Sequence, residues 1–216
     1  MAKTLLFLLL LVPCVLFAQI GIGIKAGVNF ANVTNASSIN NSNRSGFMAG
    51  VFLTPPFKGI LSYRTELVFS RQGYYFSTST NTGKVNLDYL LLPQLMGINI
   101  TKLLQLQFGF QVAFLLNAKA DSTSTISGIP GPYSNVMNYY NKFDYGFALG
   151  LEVHPIAGLL VGGRYNISLN KLYKSAETGQ QPSFSVADAK NNVVQLFAGY
   201  IFGNSTKKNK TQAPNL

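Results

Sequence analysis

The chain has 216 residues, with 17 Lys and Arg against 7 Asp and Glu, giving a formal charge of +10, yet only 11% of residues are charged and 47% are apolar. That balance excludes a disordered chain, which needs low hydrophobicity, and a nucleic-acid binder, which concentrates basic charge that is scattered here. Twenty Gly, 12% aromatics and many Asn, Ser and Thr favour β-structure with polar loops, at a length that suits one barrel or sandwich.

Residues 1–18 read as an address. Met1-Ala2-Lys3, the apolar run from Leu5 to Val12 and the small Ala18 form the pattern of a secretory signal peptide cleaved before Gln19, with Leu16 an unfavourable residue at the cleavage site. Cys14 follows Val12 and Pro13, not the small residues that lipid attachment wants, and reads as one more apolar residue of the removed peptide. The mature chain then has no cysteine and no thiol chemistry.

Beyond residue 18 no stretch approaches the roughly 18 to 20 continuous apolar residues of a transmembrane helix. The period is two. Ile22, Ile24, Ala26, Val28 and Phe30 alternate with Gly21, Gly23, Lys25, Gly27 and Asn29; Leu104, Leu106, Phe108, Phe110, Val112, Phe114 and Leu116 alternate with Gln105, Gln107, Gly109, Gln111, Ala113, Leu115 and Asn117. Eight such segments are predicted, at 20–31, 45–55, 60–72, 85–98, 103–118, 142–154, 158–171 and 191–202. Pro93 cannot donate to a ladder, so the run Leu90-Leu91-Leu92-Pro93 predicts a bulge or irregularity in the fourth.

The connections alternate in length. Those around Pro55–Gly59, Asn99–Lys102 and His154–Gly158 are tight, whereas 32–44, 73–84, 119–141 and 172–190 read as long polar loops. Short periplasmic turns opposite long external loops, and an even strand number, mark an outer-membrane barrel. A soluble lipocalin-like barrel is the competing architecture, but it needs a charged outer wall, and here one face of each segment is almost without charge. The ionisable strand residues Lys25, Arg64, Glu66, Asp88, Asp144, Glu152 and Arg164 are therefore assigned to the interior, where they would form a plug of charge-assisted hydrogen bonds in a bore just wide enough for side chains.

Catalytic chemistry is poorly supplied. His154, the one histidine, sits at a turn before Pro155; there is no Gly-x-Ser-x-Gly and no metal-spaced His or Cys cluster, so no catalytic, cofactor or metal site is assigned. Gly21, Gly23 and Gly27 alternate with apolar residues within a strand and read as small interior residues, not as a phosphate loop. A lipid-acting enzyme using loop residues such as Asp121 and Ser122 stays open. Phe57, Tyr63, Tyr74, Tyr75, Phe76, Tyr139, Tyr140, Phe143, Tyr145 and Tyr173 fall near segment ends, as interfacial girdles require. Tyr139 and Tyr140 are the candidate partner contacts on the third loop. Arg44, Lys84, Lys119, Lys142, Lys171, Lys174 and Lys190 fall at the outer rim, suited to anionic lipopolysaccharide.

Ordered along the chain, Gly23-Ile24-Lys25-Ala26-Gly27-Val28-Asn29, Leu67-Val68-Phe69-Ser70-Arg71-Gln72-Gly73, Leu87-Asp88-Tyr89-Leu90 with Pro93, Gly109-Phe110-Gln111, Asp144-Tyr145-Gly146, Arg164-Tyr165-Asn166 and Gln195-Leu196-Phe197-Ala198-Gly199-Tyr200-Ile201-Phe202 resemble the PorT-like outer-membrane β-barrel family. Members often carry Glu two residues before the proline of strand four, where this chain has Leu91. The resemblance implies a Gram-negative cell-envelope barrel and, from the founding members, help to protein secretion. The expectation is thus a signal peptide at 1–18, an all-β, eight-stranded antiparallel up-and-down transmembrane barrel at 19–202 and a disordered periplasmic tail at 203–216. Its expected partners are outer-membrane lipids, lipopolysaccharide and envelope or secretion proteins, with no nucleic acid and no cofactor. A narrow passive porin-like channel is the alternative.

Overall fold

The computed structural model describes residues 20–36, 39–55, 59–124, 135–174, 185–186 and 188–202. The predicted signal peptide with Cys14, Phe57 and the predicted tail lie outside the described residues. Eight strands form a closed antiparallel barrel in sequence order: β1 (Gly21–Thr34), β2 (Ser42–Thr54), β3 (Leu61–Ser77), β4 (Asn81–Asn99), β5 (Leu104–Ser124), β6 (Phe143–Val153), β7 (Leu159–Ser168) and β8 (Lys190–Phe202). β1 closes on β8 from Ile22↔Phe202 to Thr34↔Lys190. Period-two patterning produces this because alternate side chains point to opposite faces.

The greasy face points outward. Ile22, Ile24, Leu149, Leu151, Leu196 and Tyr200 are exposed on the bare protein, while Lys25, Glu66, Glu152 and Gln195 are buried inside. This inverts the soluble barrel and leaves a lipid-facing band. Tyr63, Thr65 and Gln94 interrupt it without cost, since the Gln94 amide accepts from the Tyr63 hydroxyl and donates to Thr65 Oγ1 at 2.6 Å.

Three strands run well past their predicted segments. β3 continues to Ser77 and β4 begins at Asn81, so 73–84 is the top of a hairpin. The polar composition suggested a loop, but Tyr74 and Phe76 continue the inward phase opposite Val85 and Gly83, and Thr78 N donates to Asn81 O at 2.8 Å to close the turn. β5 likewise runs on to Ser124 by pairing with Asn81–Asn86. A bilayer needs only about 9–11 residues per strand. β3, β4 and β5 have 17, 19 and 21, and so stand as a wall above it, whereas β6 and β7 have 11 and 10.

The irregularity expected near Leu90–Pro93 appears on the β3 side, where the ladder skips Leu92 and Pro93 between Thr65↔Gln94 and Val68↔Leu91. On the other side Pro93 pairs in register with Gln111, and a further β4–β5 shift falls at Asp88/Tyr89, where Leu116 is the extra residue. That bulge inverts the phase of β5: Phe110, Phe114 and Leu116 face out below it, Lys119 and Asp121 above it.

Glycine placement generates a test. A Cβ at Gly27 would sit 2.1 Å from the Leu196 carbonyl oxygen of β8, whereas one at Gly163 meets only the end of the Leu196 side chain at 3.3 Å. Gly27→Val is expected to abolish the fast-migrating folded band of the unboiled, refolded barrel on gels. Gly163→Ala should keep it and cost less than about 1 kcal/mol.

Candidate functional site

Alternation on five strands brings the interior charges together. Lys25 (β1), Arg64 and Glu66 (β3), Gln107 (β5), Glu152 (β6) and Arg164 (β7) are all buried in the half of the bore nearer the short turns. Arg64 donates from Nη1 to Glu152 Oε2 at 2.6 Å and from Nη2 to Oε1 at 2.8 Å. Arg164 grips Glu66 the same way, at 2.8 and 3.0 Å, and Lys25 Nζ donates to Glu66 Oε2 at 2.6 Å. Gln107 joins the two clusters, accepting from Arg164 at 2.9 Å and donating to Glu152 at 3.0 Å. Charge-assisted bidentate bonds of this kind are the strong ones, and they offset the desolvation that buried charges suffer.

Two inward rings flank the cations. Arg64 lies 4.5 Å from the Phe52 ring centre, while Lys25 and Arg164 lie 4.3 and 5.2 Å from that of Phe197. Gly23 and Gly162 leave room for those rings: a Cβ at Gly23 would meet the Phe52 ring at 2.1 Å, and one at Gly162 the Leu151 carbonyl oxygen at 2.7 Å and the Phe197 ring at 2.8 Å. His154, read as a solvated turn residue, stands half-buried with Nε2 2.9 Å from Glu152 Oε1, on the lip of an open basin of about 770 Å³ at the short-turn end. Ser62, Arg64 and Gln105 also line that basin.

Above the ions lies a polar layer. Gln195 donates to Asn29 at 3.1 Å, Asn29 and Gln72 each donate to Ser70 Oγ at 2.8 Å, and Asn191 donates to Gln72 at 2.5 Å. Above that, the bore becomes apolar. Val33, Ile39, Phe76, Leu87, Tyr89, Val136 and Leu172 pack with Tyr74, Tyr140 and Tyr173, whose hydroxyls bond one another. The third and fourth loops are pinned across the mouth, with Asn141 Nδ2 donating to the Lys171 and Tyr173 carbonyls at 2.8 and 3.0 Å, and Lys174 N to the Tyr139 carbonyl at 3.0 Å. Burial raises the pKa of the Tyr140 phenol and pushes that of Tyr173 up to about 12, so both keep their protons at neutral pH.

A family model described as outer membrane protein beta-barrel domain matches residues 17–174. The chain belongs to that family. It is a barrel of the bacterial outer membrane, seated in the lipid bilayer by its apolar outer band. Among solved structures, Ail, the attachment invasion locus protein of Yersinia pestis, is similar at 17% identity over 84% of this chain and 98% of that one, with a TM-score of 0.47. Neisserial surface protein A matches at 12% over 83% and 96%, TM-score 0.48, and OprG of Pseudomonas aeruginosa at 12% over 84% and 95%, TM-score 0.41. No curated protein matches the sequence.

The seven residues assigned to the interior of this outer-membrane barrel divide. Lys25, Arg64, Glu66, Glu152 and Arg164 form one network. Asp88 does not face inward. Leu87, Tyr89 and Leu91 hold the inward phase of β4, so Asp88 points out and accepts from Arg71 Nε at 2.7 Å and from Asn117 Nδ2 at 3.1 Å. Asp144 faces inward but meets no cation among the described residues; it accepts from Ser168 Oγ at 2.6 Å and from its neighbour Tyr145 N at 2.7 Å. Tyr140, assigned to partner contact, is fully buried in the cap, and Tyr139 is half-buried against it. Tyr74, Phe76 and Tyr173 are likewise core and not girdle, whereas Tyr63, Tyr75, Phe143 and Tyr145 are exposed as a girdle needs.

The sequence reading passed over Arg71, Gln107 and Tyr89. Phase would have placed Arg71 outside, since Arg64 and Glu66 fix even numbers inward on β3, and it would have placed Tyr89 inside with Leu87. Among the described residues, no cluster of three or more His, Cys, Asp or Glu side chains could hold a metal ion.

The paired charges generate a double-variant test. Glu152→Gln leaves Arg64 buried without its anion and is expected to cost about 3–5 kcal/mol, read as a lower denaturant midpoint of the refolded barrel. Joint Arg64→Met and Glu152→Leu removes both charges and should restore most of that loss. A double variant as unstable as the single one refutes the pairing account.

Proposed function

We propose that this outer-membrane barrel is a sealed structural and interaction protein of the envelope, working through its outer surfaces and not through its bore, and without enzymatic activity. The observation that supports this best is the double closure: a hydrogen-bonded ion network across the lower bore and an apolar tyrosine cap across the upper. A hydrated ion has to break both. In a planar lipid bilayer the refolded barrel is expected to be electrically silent. Steady ion-selective steps that change when Arg64 and Arg164 are neutralised would favour the narrow channel instead, for which the open basin reaching Arg64 is the supporting feature.

The partners proposed are lipopolysaccharide on the outer wall and envelope proteins, including those of secretion, the latter resting on the PorT-like resemblance. The wall itself supports the lipid partner. Directly above the lipid-facing Phe47 and Phe69, Arg71 points outward, 43% exposed, over the Phe47 ring at 5.4 Å, and Arg44 lies 5.9 Å from the Tyr75 ring. Lys84 and Lys119 continue the row. Aromatic groups at the hydrocarbon edge with guanidinium groups just above them fit acyl chains carrying phosphate. Arg44→Ala and Arg71→Ala should each weaken lipopolysaccharide binding several-fold, about 1 kcal/mol per charge, and more at low salt. Binding equal to the parent's at all salt concentrations would exclude this wall.

A further inference from the structure

A second feature lies between the polar layer and the cap. A small, partly open pocket with a volume of about 10 Å³, room for a single water-sized occupant, is lined by Gln111 of β5, Asp144 of β6, Asn166 and Ser168 of β7 and Asn191 of β8. Four buried polar atoms with no hydrogen-bond partner among the described residues belong to this lining: Gln111 Oε1, Asn166 Oδ1, Asn166 Nδ2 and Asn191 Oδ1. Asn166 and Asn191 are 4% and 6% exposed, so bulk water does not serve them. A buried polar atom left unpaired costs about 1–3 kcal/mol, and three or four around one hole call for an occupant.

The lining also fixes the chemistry of that occupant. It holds one carboxylate and no Lys, Arg or His. Among the described residues Asp144 receives only neutral donors, the Ser168 hydroxyl and the backbone N–H groups of Tyr145 and Asn170. The three unpartnered oxygens are amide carbonyls, which with a carboxylate make the all-oxygen shell preferred by hard cations. Neither end of the Asn166 amide is bonded, so it is able to present its oxygen. One negative charge and one atom-sized space match a single positive charge; a divalent ion would need further carboxylates.

We propose that this pocket binds one dehydrated alkali-metal ion, sodium or potassium, on the Asp144 carboxylate and the amide oxygens of Gln111, Asn166 and Asn191. The ion joins four consecutive strands, from the tall β5 across the short β6 and β7 to β8. The proposal does not depend on whether the bore conducts, so silence or current in a bilayer leaves it standing.

The refolded full barrel is melted in sodium, potassium, rubidium and choline chlorides at equal ionic strength, and crystals of the parent protein are soaked in rubidium chloride. In about 100 mM alkali chloride the midpoint should stand several degrees above that in choline, because a ligand bound only by the folded state raises it. Asp144→Asn should remove the difference, and an anomalous rubidium peak should appear beside Asp144. Equal midpoints in alkali and choline salts, with a water and no rubidium peak in the pocket, overturn the proposal. So does a cation effect that survives in Asp144→Asn. If that variant fails to fold, the rubidium soak of the parent protein decides alone.

Discussion

A bore formed by eight strands is too narrow for water to solvate the charges that point into its middle, so Lys25, Arg64, Glu66, Glu152 and Arg164 find their partners on other strands. That constraint organises this molecule. Glu66 serves Lys25 from β1 and Arg164 from β7; Glu152 serves Arg64 from β3; Gln107 of β5 links the two. The Arg64–Glu152 and Arg164–Glu66 bonds cross the bore, so the network fixes which residues of distant strands stand at the same height. The glycines follow from it, because Phe52 and Phe197 reach the cations only where Gly23 and Gly162 leave room.

Polarity inverts along the barrel axis. Within the bilayer the outside is apolar and the inside polar. Above the row of Arg71, Asp88 and Asn117 the outside carries Lys84, Lys119 and Asp121, and the inside packs Leu87, Val85, Ala118 and Ala120. The surroundings of each level dictate this. Hydrocarbon solvates apolar side chains below, whereas above, water covers the wall and the interior becomes an ordinary hydrophobic core closed by loops. On β5 the inversion is achieved by one extra residue, Leu116, which lets the run from Phe114 to Lys119 change phase without breaking the strand.

The eight strands and their outward faces were legible because period-two alternation is a local property. The height at which that logic stops was not. Asp88 was read as interior on the premise that a charged strand residue avoids lipid, but β4 has already left the lipid there, and the inward phase set by Leu87 and Tyr89 was the better guide. Residues 73–84 read as a loop from their Ser, Thr, Asn and Gly, since composition does not reveal that β3 and β4 support each other beyond the membrane. Tyr140 looked like a surface residue of a long loop. Its burial depends on Tyr74 and Tyr173, which lie 66 and 33 residues away and meet it only after closure. The ion pairs were named as a set, but their matching needs the barrel register, which no local pattern contains.

Strand lengths give the closed barrel a direction. β3, β4 and β5 rise well past β6 and β7, so the mouth is slanted, and the described residues 135–142 and 169–174 meet one another against the tall side. The cap is the product of that asymmetry, since Val136 N bonds the Ala118 carbonyl of the wall at 3.1 Å while Tyr140 reaches Tyr74. What remains outside is a paired sheet face with charged and aromatic side chains, standing above the lipid-facing band. With its backbone hydrogen bonds already used within the ladder, that face offers side chains and not backbone groups to its surroundings.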